Sequence, residues 1–430
     1  MKRLWMLLCQ YRFWARWPLA AISPGVDTLA TPRERHNRRY LYWDIAWFGI
    51  LAGIAFNFLG VYAVRLGATK VQVGAITAAP AVISIFWLIP AGQIVAQQRS
   101  LLPLVLKALF SHRVGYLMMA LLPWLMPRDW IVPGMIVVAA LQAFPFGLAT
   151  VGFSSMLPEA ISKERLGYVI SRRNALMGVT STLTVLGAGP ILALLPVPLN
   201  YQVLFIIAFA AGMASLYAVS RLDIPEHAEP HPSAHSLDDL VEGLRRFRAD
   251  RRFFFFSLSA FVFHWGLYMA IPLFPVYWVR TLGASDAFVS LIFTLMSGTS
   301  VVSALFMDRM LQRWGNRKVL AFSMLGISLY PTLTAMTHSL PPLLGIAVLG
   351  GLFAAGMNIS LYNALIQVAP DADRARFIAI FSVLVNIAIF AAPLTGSWLA
   401  GLVGIPVVLF IAGGIRALAG LMLLWHRSAY

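Results

Sequence analysis

The chain has 430 residues, of which 60% are apolar and 12% are charged, against about 25% charged residues in typical soluble domains. Too little polar surface remains for a water-soluble globule, whereas twelve helices of about 21 residues, the length that crosses a bilayer, would account for the apolar content. The single cysteine, Cys9, excludes a disulfide scaffold and thiolate metal sites, and long stretches that are apolar on every side exclude an outer-membrane barrel.

Uninterrupted apolar windows between charges and turn residues predict twelve membrane spans. Spans 1 to 6 lie at 42–64, 71–95, 103–126, 130–151, 168–195 and 200–220. Spans 7 to 12 lie at 254–279, 287–307, 318–337, 341–366, 376–400 and 403–425. The sequence therefore predicts an all-α membrane protein with twelve transmembrane helices.

The net charge of +16 follows this topology, so it does not indicate a nucleic-acid partner. Of the 33 Lys and Arg residues, 26 fall in segments on the side of the two termini, which we call the inner side. The loops on the opposite, outer side hold only four, which are Arg65, Lys70, Arg128 and Arg280. By the positive-inside rule, this bias predicts a multi-pass protein of the cytoplasmic membrane with both termini in the cytoplasm.

The two predicted bundles cover residues 41–220 and 253–430. One polar segment precedes the first bundle, and a second connects the two bundles. Residues 1–40 are basic and aromatic, which suits a cytoplasmic segment on the inner headgroup surface, with a disordered segment as the alternative. Residues 221–252 form a cytoplasmic linker whose prolines end before Ser236 and Asp239, a pair that resembles a capping box. We expect an amphipathic helix after it, lying along the inner membrane surface.

A weak internal repeat relates the two halves. Residues 66–69 read Leu-Gly-Ala-Thr and residues 282–285 read Leu-Gly-Ala-Ser, an offset of 216, and both lie in the outer turn after the first span of their half. Pro158-Glu159-Ala160 and Pro370-Asp371-Ala372 match at an offset of 212. The repeat predicts two pseudo-symmetric six-helix bundles, an architecture of secondary transporters.

Residues 312–318, between spans 8 and 9, read Gln-Arg-Trp-Gly-Asn-Arg-Lys. They resemble the D-R-x-G-x-R-[RK] end of the cytoplasmic-loop signature of the major facilitator superfamily, and the resemblance covers roughly residues 40–426. Gln312 replaces the family's aspartate, and Asp308, one turn earlier on the same face, is the candidate substitute. The resemblance implies that the basic residues of this loop hold neighbouring helix ends, with a gating set of Asp308, Gln312, Arg313, Gly315, Arg317, Arg172 and Arg173.

The resemblance also implies a central cavity lined mainly by helices 1, 4, 7 and 10. Polar and aromatic residues near the midpoints of these helices are candidates for binding substrate, although packing between helices is the alternative for each. The candidates are Asn57, Gln142, Phe144, His264, Trp265, Tyr268, Asn358 and Tyr362. For Arg113 in span 3 and Arg416 in span 12, hydrogen bonds to backbone carbonyls are favoured over a role with solute.

No Asp or Glu lies at the centre of a predicted span. Proton coupling would therefore use His264, since the unperturbed pKa of a histidine is close to neutral, or Asp44 near the inner end of span 1, for which an interfacial cap is the alternative. We predict a monomeric secondary active transporter of a small organic solute that works by alternating access, with protons as a candidate coupling ion and without cofactor or metal. A non-transporting receptor or scaffold of the same fold is the second reading. An enzyme is disfavoured because the spans lack a catalytic constellation.

Overall fold

The computed structural model describes residues 31–225, 247, 250–370 and 374–425. The first half contains α1 to α6, which span Pro32–Arg65, Lys70–Ala96, Leu101–Leu125, Arg128–Ala160, Lys163–Leu194 and Leu199–Ser220. The second half contains α7, which spans Arg251–Thr281, followed by α8 to α12 at Asp286–Trp314, Asn316–Met336, Pro342–Val368, Arg374–Val403 and Ile405–Trp425. These twelve helices are long and apolar enough to cross a bilayer, which confirms the all-α, twelve-span prediction.

Several helices extend past their predicted spans on the inner side, because charged residues can continue a helix into the headgroup region. α1 begins at Pro32, ten residues before the predicted span, so residues 32–40 belong to this helix and not to a separate segment. Thr31 caps it by accepting a hydrogen bond from the Glu34 amide, and proline occupies the first helical position. Similarly, α4 continues to Ala160 and α8 to Trp314.

α7 changes character along its length. Its regular part ends at Ala270, a short turn covers Leu273–Val276, and Tyr277–Thr281 is π-helical. Pro272 and Pro275 lack the amide hydrogen that a regular ladder requires, so the break falls where the sequence places them. The outer end of α7, which contacts α1 and α2 of the first bundle, is therefore irregular.

The packing of the helices repeats between the two halves. In the first half, α1 packs on α5 and α6, α2 packs on α4, and α3 packs on α4 and α6. In the second half, α7 packs on α11 and α12, α8 packs on α10, and α9 packs on α10 and α12. Adding six to each helix number of the first set gives the second, so the two bundles are pseudo-symmetric. They meet through α2 with α11 and α5 with α8, two pairs that the same relation exchanges.

The repeated Leu-Gly-Ala-Thr/Ser segment forms the same turn in both bundles. Gly67 and Gly283 have φ angles of +95° and +68°, a region that favours glycine because it has no Cβ. Thr69 and Ser285 then cap α2 and α8 through their side chains. The repeat therefore has a structural reason, which is the reversal of the chain between the first two helices of each bundle.

Three expectations concern residues outside the described part of the chain. The first concerns the basic N-terminal segment up to residue 30. The second concerns the amphipathic helix expected in the linker, whose residues 226–246 and 248–249 are not described. The C-terminal residues 426–430 are also outside it. Of the linker between 226 and 249, only Phe247 is described, and its ring packs edge-on against Phe253 at the start of α7 with centroids 5.7 Å apart.

Candidate functional site

The outer ends of the two bundles are joined by an ion pair. Nε of Arg65, at the end of α1, donates to Oδ1 of Asp286, the first residue of α8, over 2.6 Å. Nδ2 of Asn200, at the start of α6, lies 3.4 Å from Oδ2 of the same carboxylate. Asp286 in the second bundle is thus bound by two residues of the first, and its side chain is only 9% exposed.

Two arginines cross the interface reciprocally. Nη2 of Arg65 donates to the carbonyl of Ala284 over 2.7 Å, and Nη2 of Arg280 donates to the carbonyl of Ala68 over 2.7 Å. Ala68 and Ala284 are equivalent positions of the repeat, so each bundle holds the outer turn of the other. Lys70 adds a third contact, from Nζ to the carbonyl of Ala400 over 2.9 Å. We call Arg65, Lys70, Arg280 and Asp286 the outer latch.

Below the outer latch, aromatic side chains from both bundles fill the interface. Phe58 of α1 packs edge-on against Phe293 of α8 with centroids 5.8 Å apart, and Phe293 packs against Trp278 of α7 at 5.6 Å. Phe58 and Trp278 are almost completely buried. On this side, the interface is closed to water by packing as well as by hydrogen bonds.

The inner half of the interface differs. Between pairs of described residues, the hydrogen bonds that join the two bundles all lie in the outer half of the molecule. Asn358 and Tyr362 on the inner half of α10 are exposed, as are Thr150 and Ser154 on the inner half of α4. The hydroxyls of Thr150 and Ser154 donate to carbonyls of their own helix. The described parts of the two bundles are therefore held together at their outer ends.

Three predicted site residues share one face of α7. His264 and Tyr268 are four residues apart and their rings are nearly parallel, with centroids 6.2 Å apart. Trp265 packs against Phe261 at 5.7 Å. All four rings are half-buried, and Nδ1 of His264 lies 2.7 Å from the carbonyl oxygen of Ala260. Because that oxygen can only accept, Nδ1 carries the hydrogen and Nε2 remains an acceptor.

The predicted residues of α1 and α4 have different surroundings. Asn57 is half-buried and donates to the carbonyl of Gly53 on its own helix. Gln142 instead lies against α3, where Nε2 donates to the carbonyl of His112 over 2.9 Å. This bond places Gln142 between two helices of the first bundle. Phe144 lies at an apolar cavity of about 240 Å³, which is also lined by Trp87.

Asp44, the candidate coupling carboxylate, belongs to a buried network inside the first bundle. Its Oδ2 accepts from Nη2 of Arg173 on α5 over 3.0 Å, and its Oδ1 accepts from the Ser215 hydroxyl on α6 over 2.6 Å. Ser215 also accepts from Nη2 of Arg113 on α3. One carboxylate thus joins four helices and lies close to two guanidinium groups, one of which it contacts directly.

Arg113 and Arg416 are buried and bonded to backbone carbonyls, which confirms that expectation. Arg113 donates to Gly212, and Arg416 donates to Gly266, Ile327 and Leu267. Glycine makes room for each arginine stem, because a Cβ on Gly212 would lie 2.8 Å from Cγ of Arg113 and one on Gly266 would lie 3.0 Å from Cγ of Arg416. Arg113 and Arg416 therefore each tie helices of their own bundle together.

The predicted gate between α8 and α9 is not at the interface of the bundles. Gly315 provides the tight turn with a φ of +78°, and Arg317 donates to the carbonyls of Leu423 and Leu424 at the end of α12. The basic residues of this loop were expected to hold neighbouring helix ends. The contact that Arg317 makes is with a helix of its own bundle, the second. Gln312 and Arg313 are exposed.

The proposed pairing of Asp308 with α5 is wrong for this structure. Asp308 is exposed, Arg173 pairs with Asp44, and Arg172 lies over the ring of Tyr168 at 4.5 Å. Between described residues, the hydrogen bonds that join the two bundles lie on the outer side, most of them in the outer latch. The sequence offered one signal for it, since three of the four outer basic residues belong to the outer latch.

Comparison with known proteins agrees with this architecture. Residues 256–429 match the sequence model of the Major Facilitator Superfamily. This match covers most of the second half of the chain, from α7 onward, so that half is similar to the superfamily. No curated protein matches this chain by sequence. Together with this match, its twelve long apolar helices indicate a multi-pass membrane protein.

Solved structures of transporters share the fold of this chain at low sequence identity. The nucleoside transporter NupG aligns over 90% of this chain and 99% of its own, with a TM-score of 0.67 and 14% identity. The human organic anion transporter MFSD10 aligns over 91% of this chain and 100% of its own, with a TM-score of 0.63 and 17% identity. A D-xylose–proton symporter aligns over 90% of this chain and 96% of its own, with a TM-score of 0.64 and 15% identity.

Proposed function

We propose that this protein is a secondary active transporter that moves a small organic solute by alternating access. The observation that carries the proposal is the asymmetry of the interface, which is latched and packed at the outer ends and carries no bond between described residues of the two bundles at the inner ends. Such an arrangement corresponds to an inward-facing state. Transport then requires the outer latch to open while the inner ends of the bundles approach each other.

The substrate site proposed here lies along the shared crevice, on the face of α7 that carries His264, Trp265 and Tyr268. Asn358 and Tyr362 of α10 extend it toward the inner opening, where both are exposed. Aromatic faces with a few polar groups suit an amphipathic organic solute. The similar solved structures include a nucleoside transporter, an organic anion transporter and a D-xylose–proton symporter, which supports small organic solutes as the substrate class.

His264 is the residue we assign to proton coupling. Its Nδ1 is engaged with Ala260, so uptake of a proton at Nε2 would add a charge to the face of α7 at the proposed substrate site. Asp44 is less suited, because its ion pair with Arg173 and the hydrogen bond it accepts from Ser215 make it part of the packing between helices of the first bundle. We therefore assign Asp44 to the stability of the first bundle.

The proposal is tested by flux into proteoliposomes with and without an imposed pH gradient, using solutes selected from a panel by thermal stabilisation of the purified protein. Saturable flux of at least one solute is expected, and the gradient should accelerate it. His264→Gln should retain exchange but lose the response to the gradient, whereas the control His338→Gln, at an exposed outer position, should keep both. No flux of any stabilising solute would contradict transport and favour the receptor or scaffold reading.

The charge bias also supports the proposed orientation, with the inner ends in the cytoplasm. By the same bias, we expect Cys9 to be on the inner side. In intact cells, a membrane-impermeant thiol reagent should therefore label a cysteine introduced at exposed Arg128 on the outer side, in a Cys9→Ser background, and should leave Cys9 of the natural chain unlabelled.

A further inference from the structure

A cavity of about 490 Å³ opens at the inner end of the second bundle, away from the crevice between the bundles. It lies where α7 and α9 begin and where α10 and α12 end. Its lining includes three cationic side chains, which are Arg252, Arg317 and Lys318, together with Trp314, Asn316 and Gln367. None of the residues lining it in the described part of the chain is acidic.

The three cations differ in the contacts they make with other described residues. Arg317 is held in place by the carbonyls of Leu423 and Leu424, so it contributes a fixed positive charge on the cavity wall. Arg252 and Lys318 are exposed and make no ion pair with a described residue. The closest carboxylate in sequence, that of Asp250, accepts from the Phe253 amide and caps α7.

The height of the cavity in the membrane indicates the kind of ligand. It lies at the inner ends of four membrane-spanning helices, the level of the lipid headgroups, and its Trp314 is 46% exposed, as is typical of aromatic residues at the membrane surface. Basic pockets between helix ends on this side attract the anionic lipids of the inner leaflet. The residues that resemble the family's loop signature thus form the wall of a cationic cavity.

We propose that this cavity binds the phosphate-containing headgroup of an anionic phospholipid, with Arg252 and Lys318 contacting the phosphate and the fixed guanidinium of Arg317 adding to the positive field. The lipid would link α7, α9, α10 and α12 at their inner ends. This proposal does not depend on which solute the protein transports, or on whether it transports one.

The test is a titration of the full-length protein in an uncharged detergent, with thermal unfolding as the readout. The added ligands are short-chain phosphatidylglycerol, short-chain phosphatidylcholine and inorganic phosphate. Phosphatidylglycerol should raise the unfolding temperature saturably, whereas phosphatidylcholine should not. Arg252→Gln with Lys318→Gln should weaken the apparent affinity for phosphatidylglycerol by roughly 30-fold, about fivefold for each cation near the lipid surface.

The matched control is Arg309→Gln with Arg313→Gln, because both arginines are exposed near the inner end of α8 and outside the cavity lining. This control should change the affinity by less than about twofold, since its cations do not reach the ligand. Equal losses in the two double variants would overturn the site, because they would indicate general attraction to a basic surface. Inorganic phosphate binding as tightly as phosphatidylglycerol would overturn the lipid as the ligand, and absence of any saturable shift would overturn the proposal altogether.

Discussion

Removal of Arg65 from the outer latch should favour the outward-open state. In the structure, Arg65 makes a charge-assisted hydrogen bond to Asp286 and a second bond to the carbonyl of Ala284 across the interface. Because its side chain is one quarter exposed, we take the lower end of the usual ranges, about 1.5 kcal/mol for the first bond and about 0.5 kcal/mol for the second. The sum of about 2 kcal/mol corresponds to a shift of roughly 30-fold toward the open latch.

The population of the open latch can be read from the reactivity of one cysteine. Gly60 lies at the interface, where an added Cβ would be 3.6 Å from Cγ of Pro275 in the other bundle. In a Cys9→Ser background, Gly60→Cys should react with an impermeant thiol reagent from the outer side only while the latch is open. Adding Arg65→Gln should accelerate the reaction roughly 30-fold.

The matched control is Arg128→Gln, which removes the fourth outer cation, an exposed residue at the start of α4. Its labelling rate should equal that of the Gly60→Cys reporter alone. If Arg65→Gln labelled no faster than Arg128→Gln, the cross-bundle bonds would not hold the outer side closed, and the reasoning from their geometry would be refuted.

Two further predictions concern the packing and charge of the first bundle. Gly212→Ala should destabilise the detergent-solubilised protein by about 1–3 kcal/mol, because the added Cβ would overlap the stem of Arg113. The control is Gly187→Ala, whose added Cβ meets no atom within 4 Å. This control should leave the thermal unfolding midpoint unchanged or higher. Asp44→Asn should destabilise the bundle by about 3–5 kcal/mol, since it leaves the buried guanidinium of Arg173 without its carboxylate. Size-exclusion profiles should then show loss of the monodisperse peak, and an Asp44→Asn protein that kept full stability and lost only its response to a pH gradient would favour coupling instead.

The twelve spans and the repeat were predictable because both depend on local signals. Apolar windows of sufficient length need no knowledge of partners, and Gly67 and Gly283 mark the same turn in the two halves. The start of α1 was placed too late, although Thr31, Pro32 and Glu34 carry the capping and proline signals of a helix N-terminus. Hydropathy locates the part of a helix in the bilayer and not the part that continues into the headgroups.

The contacts of the site residues were less predictable, because they depend on how helices rotate against each other. Gln142 was predicted to line the central cavity, yet its side chain donates to the carbonyl of His112 on α3. The partners of Asp44 lie on two other helices, and those of Arg65 lie more than 200 residues away. No spacing rule connects such residues, although the concentration of the few outer cations near the first turn of each bundle was visible in the sequence.

Alternating access is tested most directly by two distances measured in the same preparation. Spin labels at exposed residues 126 and 339 report on the outer loops of the two bundles, and labels at exposed residues 97 and 312 report on their inner ends, each pair in a Cys9→Ser background. When a stabilising solute is added, or when Arg65→Gln is introduced, the outer distance should lengthen and the inner distance should shorten. Two distances that stay constant, or that change in the same direction, would contradict a crevice that opens to one side at a time.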